Sequence, residues 1–157
     1  RFYIDLKDKY SFPHQSILLL RRIWDGQDLL LIEGNGSRMG FRNDLFRNSK
    51  SICRILCPSE NAFSSYERIL ETSIRHSEGR LILIALGMTA TVLAFDLSKV
   101  GIRAIDIGHI DLEYEWYKMK TDHKVPVNYR YSNEVDSRKP AEIVDLEFES
   151  QIVDIIQ

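Results

Sequence analysis

Four short apolar runs mark out the chain: Leu29–Ile32, Ile52–Leu56, Leu81–Leu86 and Ala104–Ile107. They are continuous rather than alternating, as expected of parallel strands covered on both sheet faces. Amphipathic helical patterns precede three of them. In Gln15–Trp24, the residues Ile17, Leu20 and Trp24 share a face. In Ala62–Arg75, the residues Phe63, Tyr66, Ile69, Leu70 and Ile74 recur at helical spacing. Thr89–Lys99 leads into the fourth run and is stopped by Gly101. Strands alternating with helices predict right-handed βαβ units. The expected fold class is α/β: a Rossmann-like, mostly parallel sheet with helices on both faces.

Beyond Lys124 the pattern weakens. Val125–Val135 alternates enough to predict a strand, Asp136–Pro140 reads as a polar turn, and Glu147–Ile156 as a short terminal helix. The 157 residues suit one domain, 1–157. A formal net charge of −2 gives no global attraction to nucleic acid or to an anionic membrane. The longest apolar runs are far shorter than the roughly 20 residues of a transmembrane helix. Cys53 and Cys57 fall on one predicted strand, about 13 Å apart at ~3.3 Å per residue, too far for a disulfide. Two buried thiols in a reducing compartment are expected. The chain begins at Arg1 and runs directly into Phe2-Tyr3-Ile4, so an upstream segment is expected to be missing.

Ligands of open α/β sheets bind beyond the carboxyl ends of the strands. Here those ends are followed by Glu33-Gly34-Asn35-Gly36-Ser37-Arg38, Pro58-Ser59, Gly87-Met88-Thr89 and Gly108-His109-Ile110-Asp111. The first loop fails as a dinucleotide fingerprint, because Met39 replaces its third glycine and no acid ends the next strand. It could still contact a diphosphate through backbone N–H groups and the Arg38 guanidinium; the plainer reading pairs Arg38 with Asp44. Glu33 ends a hydrophobic strand and must be paired or solvated. It could hold a sugar hydroxyl or a metal, or pair with Arg38. Asn43 or Asp44 reads as the cap of a short turn, and Thr89 as a helix N-cap beside an anion-ready helix start that also carries Thr91.

Asp111 and Glu113 follow the fourth strand two positions apart. Hard cations such as Mg2+ and Mn2+ take oxygen ligands and leave positions open for phosphate. If the segment is extended, His109, Asp111 and Glu113 share a face. If it is helical, Glu113 turns away, and acids in a first helical turn need no metal. No serine sits in G-x-S-x-G, and no C-x-x-C suggests zinc.

Five blocks in order resemble one family. They are Glu33-Gly34-x-x-Ser37-Arg38-x-Gly40, Asn43-Asp44-Leu45-Phe46, Cys57-Pro58-Ser59-x-Asn61-Ala62-Phe63, the segment Leu86 to Leu97, and the segment Ala104 to Trp116. Together they are similar to the GT-D type of glycosyltransferase, first catalogued as a bacterial domain of unknown function. The resemblance implies a cytoplasmic, metal-dependent transferase that takes a sugar, typically glucose, from a UDP-sugar and passes it to a bacterial glycan or glycoprotein. It also implies that Asp111-x-Glu113 is the D-x-E motif for Mn2+ or Mg2+. Gly34, Ser37, Arg38, Asn43, Asp44, Thr89 and Thr91 are then the expected donor contacts. Glu33, Asp106 and His109 are the candidates for a general base. Family members carry a further N-terminal segment, and loss of an early strand would leave a sheet edge that promotes association between copies. Two rivals stand beside this reading: a truncated, non-catalytic remnant, and a metal-dependent phosphate-ester hydrolase. The hydrolase would want D-x-D after the first strand, where this chain has Glu33-Gly34-Asn35.

Overall fold

In the computed structural model, which describes residues 13–131 and 144–157, all four apolar runs are strands. Helix α1 (Pro13–Arg21) leads to β1 (Asp28–Gly34) and β2 (Ser51–Cys57). A single 3-10 turn (Ala62–Ser65) and α2 (Tyr66–Arg75) lead to β3 (Leu81–Ala85). Then follow α3 (Met88–Lys99), β4 (Ala104–Asp106), α4 (Ile110–Met119), α5 (Leu146–Ser150) and β5 (Ile152–Ile155). The sheet order is β4-β3-β1-β2-β5, and every pairing in it is parallel. No helix of the described residues is long and apolar enough to cross a membrane.

The continuous apolar pattern follows from burial on both faces. Leu30 and Ile32 point into one core with Ile82, Ile84 and the helical residues Ile69, Leu93 and Leu97. Leu29 and Leu31 point into the other with Ile17, Trp24, Ile110 and Tyr114. Successive strand residues face opposite ways, so a strand with two cores needs no polar positions. Because β1 lies between β2 and β3, the chain leaves β1 in one direction and later returns to its other side. That reversal opens a crevice at the carboxyl ends of β1 and β3, the usual ligand position in such sheets.

The structure departs from the sequence reading in five places. Trp24 is fully buried but lies beyond the end of α1. The 3-10 turn replaces the first part of the expected Ala62–Arg75 helix and leaves Phe63 57% exposed, so the predicted apolar stripe is broken there. Residues 125–131 form no strand, and 132–135 of that expected strand lie outside the described residues. The expected terminal helix Glu147–Ile156 is instead the single turn α5, capped by Asp145 through the Phe148 N–H, and the edge strand β5. Finally, only Cys57 is buried; Cys53 is half-buried. Burial pushes the Cys57 thiol up to about 12.

One charged pair lies inside this fold. Glu33 is completely buried, and Arg54, diagonally across on β2, donates to its Oε1 at 2.5 Å. The Met39 N–H donates to the other carboxylate oxygen at 2.6 Å. Arg54 also donates to the Gln151 side chain at 2.8 Å and lies 4.4 Å from the Phe148 ring centre, so it anchors α5 and β5 as well. Burial pushes the Glu33 carboxyl up, against the pull of Arg54 and the Met39 N–H. A carboxylate whose pKa is raised in the folded state costs stability in full above that pKa, and the cost falls away as pH drops toward the ordinary carboxylate value. Arg54→Met should therefore destabilise by roughly 3 kcal/mol at pH 7, the scale of a broken buried pair. The deficit should shrink as pH falls and Glu33 takes up a proton. Urea melts across that range check this; a deficit independent of pH would show that Glu33 is not its source.

Candidate functional site

The crevice holds a cavity of about 510 Å3, within the usual range for a small-molecule site. Each strand end contributes small or polar residues: Gly34 and Ser37 after β1, Ser59 and Asn61 after β2, Gly87 and Thr89 after β3, His109 and Asp111 after β4. Gly34 keeps the two loops close there, since a Cβ would stand a tight 3.2 Å from the Ser59 Cα. Gly87, at φ 55°, is the N-cap of α3. Helix α3 thus starts inside the cavity and presents its first-turn N–H groups and the positive end of its dipole to a ligand. Tyr131 closes one side, with its N–H donating to the Gly36 carbonyl at 2.9 Å and its hydroxyl to Glu60 at 3.0 Å. That bond to a carboxylate pushes the Tyr131 phenol pKa up.

Of the expected site residues, Gly34, Ser37, Thr89, His109 and Asp111 line this cavity. Thr89 is not the N-cap but the second residue of α3, 6% exposed. The others face elsewhere. Glu33 is sealed beneath the loop by Met39 and Arg54. Arg38 turns outward, donating to the Tyr129 carbonyl at 3.3 Å beside the Phe41 ring. Asn43 donates to Asp111 at 2.8 Å and to Glu115 at 2.6 Å. Asp44 pairs not with Arg38 but with Arg21 and Lys118, and accepts from Tyr114 at 2.9 Å. Burial pushes the Asp44 carboxyl up, but these donors outweigh it and hold the group below its ordinary value. Thr91 donates to Asp106 Oδ2 at 2.7 Å, and Asp106 Oδ1 accepts from the Gly108 N–H at 3.0 Å. Those two residues shape the β4–α4 turn outside the cavity. Among the described residues no lysine or arginine lines it.

The residues around Asp111 do not fit a metal ion shared with Glu113. Helix α4 already includes both, so at 3.6 residues per turn they point to different sides. Asp111 lines the cavity described above, and Glu113 a second cavity on the other side of His109. Both oxygens of Asp111 are committed. Arg130 Nε donates to Oδ2, while Oδ1 accepts from the Gly40 N–H and Asn43 Nδ2, each at 2.8 Å. Arg130 is 4% exposed and also donates to the Phe41 carbonyl at 2.6 Å. No group of three or more His, Cys, Asp or Glu among the described residues is arranged to hold a metal. The acid that shares Asp111's face is Glu115, one helical turn on, which accepts from the same Asn43 and Arg130. Arg54 and Arg130 escaped the sequence reading. A charge inside the Ile52–Leu56 run was the available signal for Arg54. For Arg130, in the weakly patterned stretch after α4, there was none.

Comparison with known proteins agrees with this architecture. A family model described as "Glycosyltransferase GT-D fold" matches residues 1–135. A probable glycosyl transferase, Gly, of Streptococcus gordonii is 45% identical over 154 residues, covering 98% of this chain and 22% of that protein. Glycosyltransferase GlyD of Streptococcus pneumoniae serotype 4 is 43% identical over 98% of this chain and 19% of its own length. The chain therefore spans about a fifth of the curated relatives it matches. Among solved structures, one described as the highly conserved domain of unknown function 1792 with a distinct glycosyltransferase fold superposes with a TM-score of 0.94. It is 44% identical over 100% of this chain and 57% of that one. Another, a new glycosyltransferase of the same domain type from Streptococcus sanguinis, gives 0.93 at 44% identity, over 99% and 58%. With the order of its strands, the placing of its crevice and these likenesses in agreement, the chain belongs to the GT-D fold glycosyltransferase family.

Proposed function

We propose that this chain binds the donor of a sugar transfer, a nucleotide-diphosphate sugar of the UDP-glucose type, and passes the sugar to a hydroxyl of a glycan or glycoprotein. The observation that supports this best is the helix start inside the cavity. The first turn of α3, with Gly87 leaving the backbone open and the Thr89 hydroxyl beside it, is a site for an anion. The surrounding Gly34, Ser37, Ser59 and Asn61 leave room and hydrogen-bonding groups for a diphosphate and a sugar.

Transfer forms a bond from the acceptor oxygen to the anomeric carbon and breaks the bond from that carbon to the diphosphate oxygen. The helix N-terminus then faces the charge that develops on the leaving diphosphate. If the reaction inverts configuration, a base must take the acceptor's proton. Glu33 is buried behind the loop, and Asp106 is engaged by Thr91 and Gly108. His109, exposed and lining the cavity, makes no side-chain hydrogen bond among the described residues. It is the candidate of the three that can receive a proton there. Mn2+ or Mg2+, implied by the motif, would have to take Asp111 away from Arg130.

Calorimetry with UDP tests the donor reading. Thr89→Val should weaken binding by about 1 kcal/mol, one neutral hydrogen bond, whereas Arg38→Lys should leave the affinity within about twofold. No UDP binding by the folded protein would favour the non-catalytic reading.

The metal condition has its own test. Arg130→Met should tighten Mn2+ binding, followed by the electron-spin resonance of free Mn2+, because it removes the competing cation. Unchanged affinity would place any ion away from Asp111. Asp111→Asn should cost roughly 3 kcal/mol in a urea melt, since Arg130 is then buried without its counter-charge. A fully stable Asp111→Asn protein would mean that the pair does not hold this edge together.

A further inference from the structure

A second cavity, of about 460 Å3, lies on the other side of the β4–α4 turn. It runs between the end of α1 and the start of α4, over edge strand β4. Its lining is largely apolar, from Leu20, Ile23, Ile105, Ile107 and Ile110, and carries two carboxylates, Asp106 and Glu113. Glu113 is only 4% exposed, yet it borders this space, on the opposite side of α4 from Asp111. Gly108 and His109 border both cavities. The wall between the two spaces is thus one exposed turn, and its one side chain able to take a proton is His109.

We infer that this second cavity is the acceptor subsite and that it takes a saccharide. The inference rests on the donor reading above, because an acceptor must present its hydroxyl where the donor's anomeric carbon lies. A cavity that shares Gly108 and His109 with the donor cavity lies one exposed turn away from it, within reach of a hydroxyl that passes the His109 side chain. The lining also fits a sugar's surface. A pyranose has a C–H face that suits the aliphatic residues and a rim of hydroxyl donors that suits the carboxylates. Carboxylates accept such hydrogen bonds with an ionic contribution. Asp106 is held by Thr91 and the Gly108 N–H in one position, so a hydroxyl bound to it is held in fixed relation to the turn carrying His109. Glu113 then has a role that its motif position does not suggest: it contacts the acceptor rather than completing a metal pair.

The test uses methyl-labelled protein and two-dimensional NMR. Titration with UDP should move the Met88 methyl, at the donor cavity. Subsequent titration with p-nitrophenyl β-D-glucopyranoside should move the Ile23, Ile105, Ile107 and Ile110 methyls. Ile23 is 44% exposed, so Ile23→Glu is tolerable to the fold; it should weaken glycoside binding at least tenfold and leave UDP binding within twofold. Glu113→Gln should weaken the glycoside while Mn2+ affinity stays unchanged. A Met88 response to UDP with silent groove isoleucines would overturn the acceptor subsite and leave the donor reading standing. No response to UDP would remove the donor reading and this inference with it. Equal shifts from p-nitrophenol alone, or shifts that track protein concentration without glycoside, would show a merely apolar groove or one covered by a second copy; either result overturns the proposal.

Discussion

The buried contact between Asp111 and Arg130 determines the shape of the site. Asp111 stands in the first turn of α4, and Arg130 in the segment that returns after that helix. Through Oδ1, Asp111 also holds the Gly40 N–H and Asn43, so one carboxylate joins α4 to the loop after β1. Arg130 reaches the same loop at the Phe41 carbonyl. Charges this deeply buried are costly unless every donor and acceptor is matched, and here each is met several times. Tyr131, next in the chain, is thereby brought to the mouth of the cavity, where it meets Gly36 and Glu60. Gly40 completes the arrangement: at φ 74°, any Cβ would stand 2.7 Å from the Phe46 ring.

Glu33 and Arg54 do the same on the neighbouring strands. Their pair lies beneath the loop after β1 and reaches outward to Gln151, tying the edge strand β5 to the centre of the sheet. The two networks leave the loop from Gly34 to Asn43 held from below by Glu33, through Met39, and from the side by Asp111, through Gly40. A loop fixed at both points can present small residues to a ligand without collapsing into the cavity.

Where burial alone decides, the sequence was readable. Leu29 to Ile32 read as a two-faced strand because no polar residue interrupts it, and the sheet edge that gathers the site followed from the alternation of strands and helices. Long-range pairing was not readable. Arg38 stands beside Gly34 and Gly36 in sequence and was expected at the ligand, yet a positive φ of 49° turns it toward Tyr129. Asp111 and Glu113 look like a chelating pair in one dimension, and the helical turn separates them. The family resemblance placed the right loops around the crevice, but motif membership does not say which way each side chain points. Glu147–Ile156 carried a helical pattern too short to compete with an open sheet edge, and β2 claimed its second half as a strand.

A consequence concerns how the cavity handles negative charge. Arg38, Arg54 and Arg130 all lie near the loop after β1, and each is directed to a protein partner. The cavity itself is left with backbone N–H groups, hydroxyls, His109 and two carboxylates, Glu60 held by Tyr131 and Asp111 held by Arg130. Backbone dipoles at a helix start are fixed in place, so an anion facing them demands little rearrangement of the protein. The arginines preserve the geometry of the site, and the start of α3 provides its electrostatics. That division leaves a cavity with no lysine or arginine of its own among the described residues.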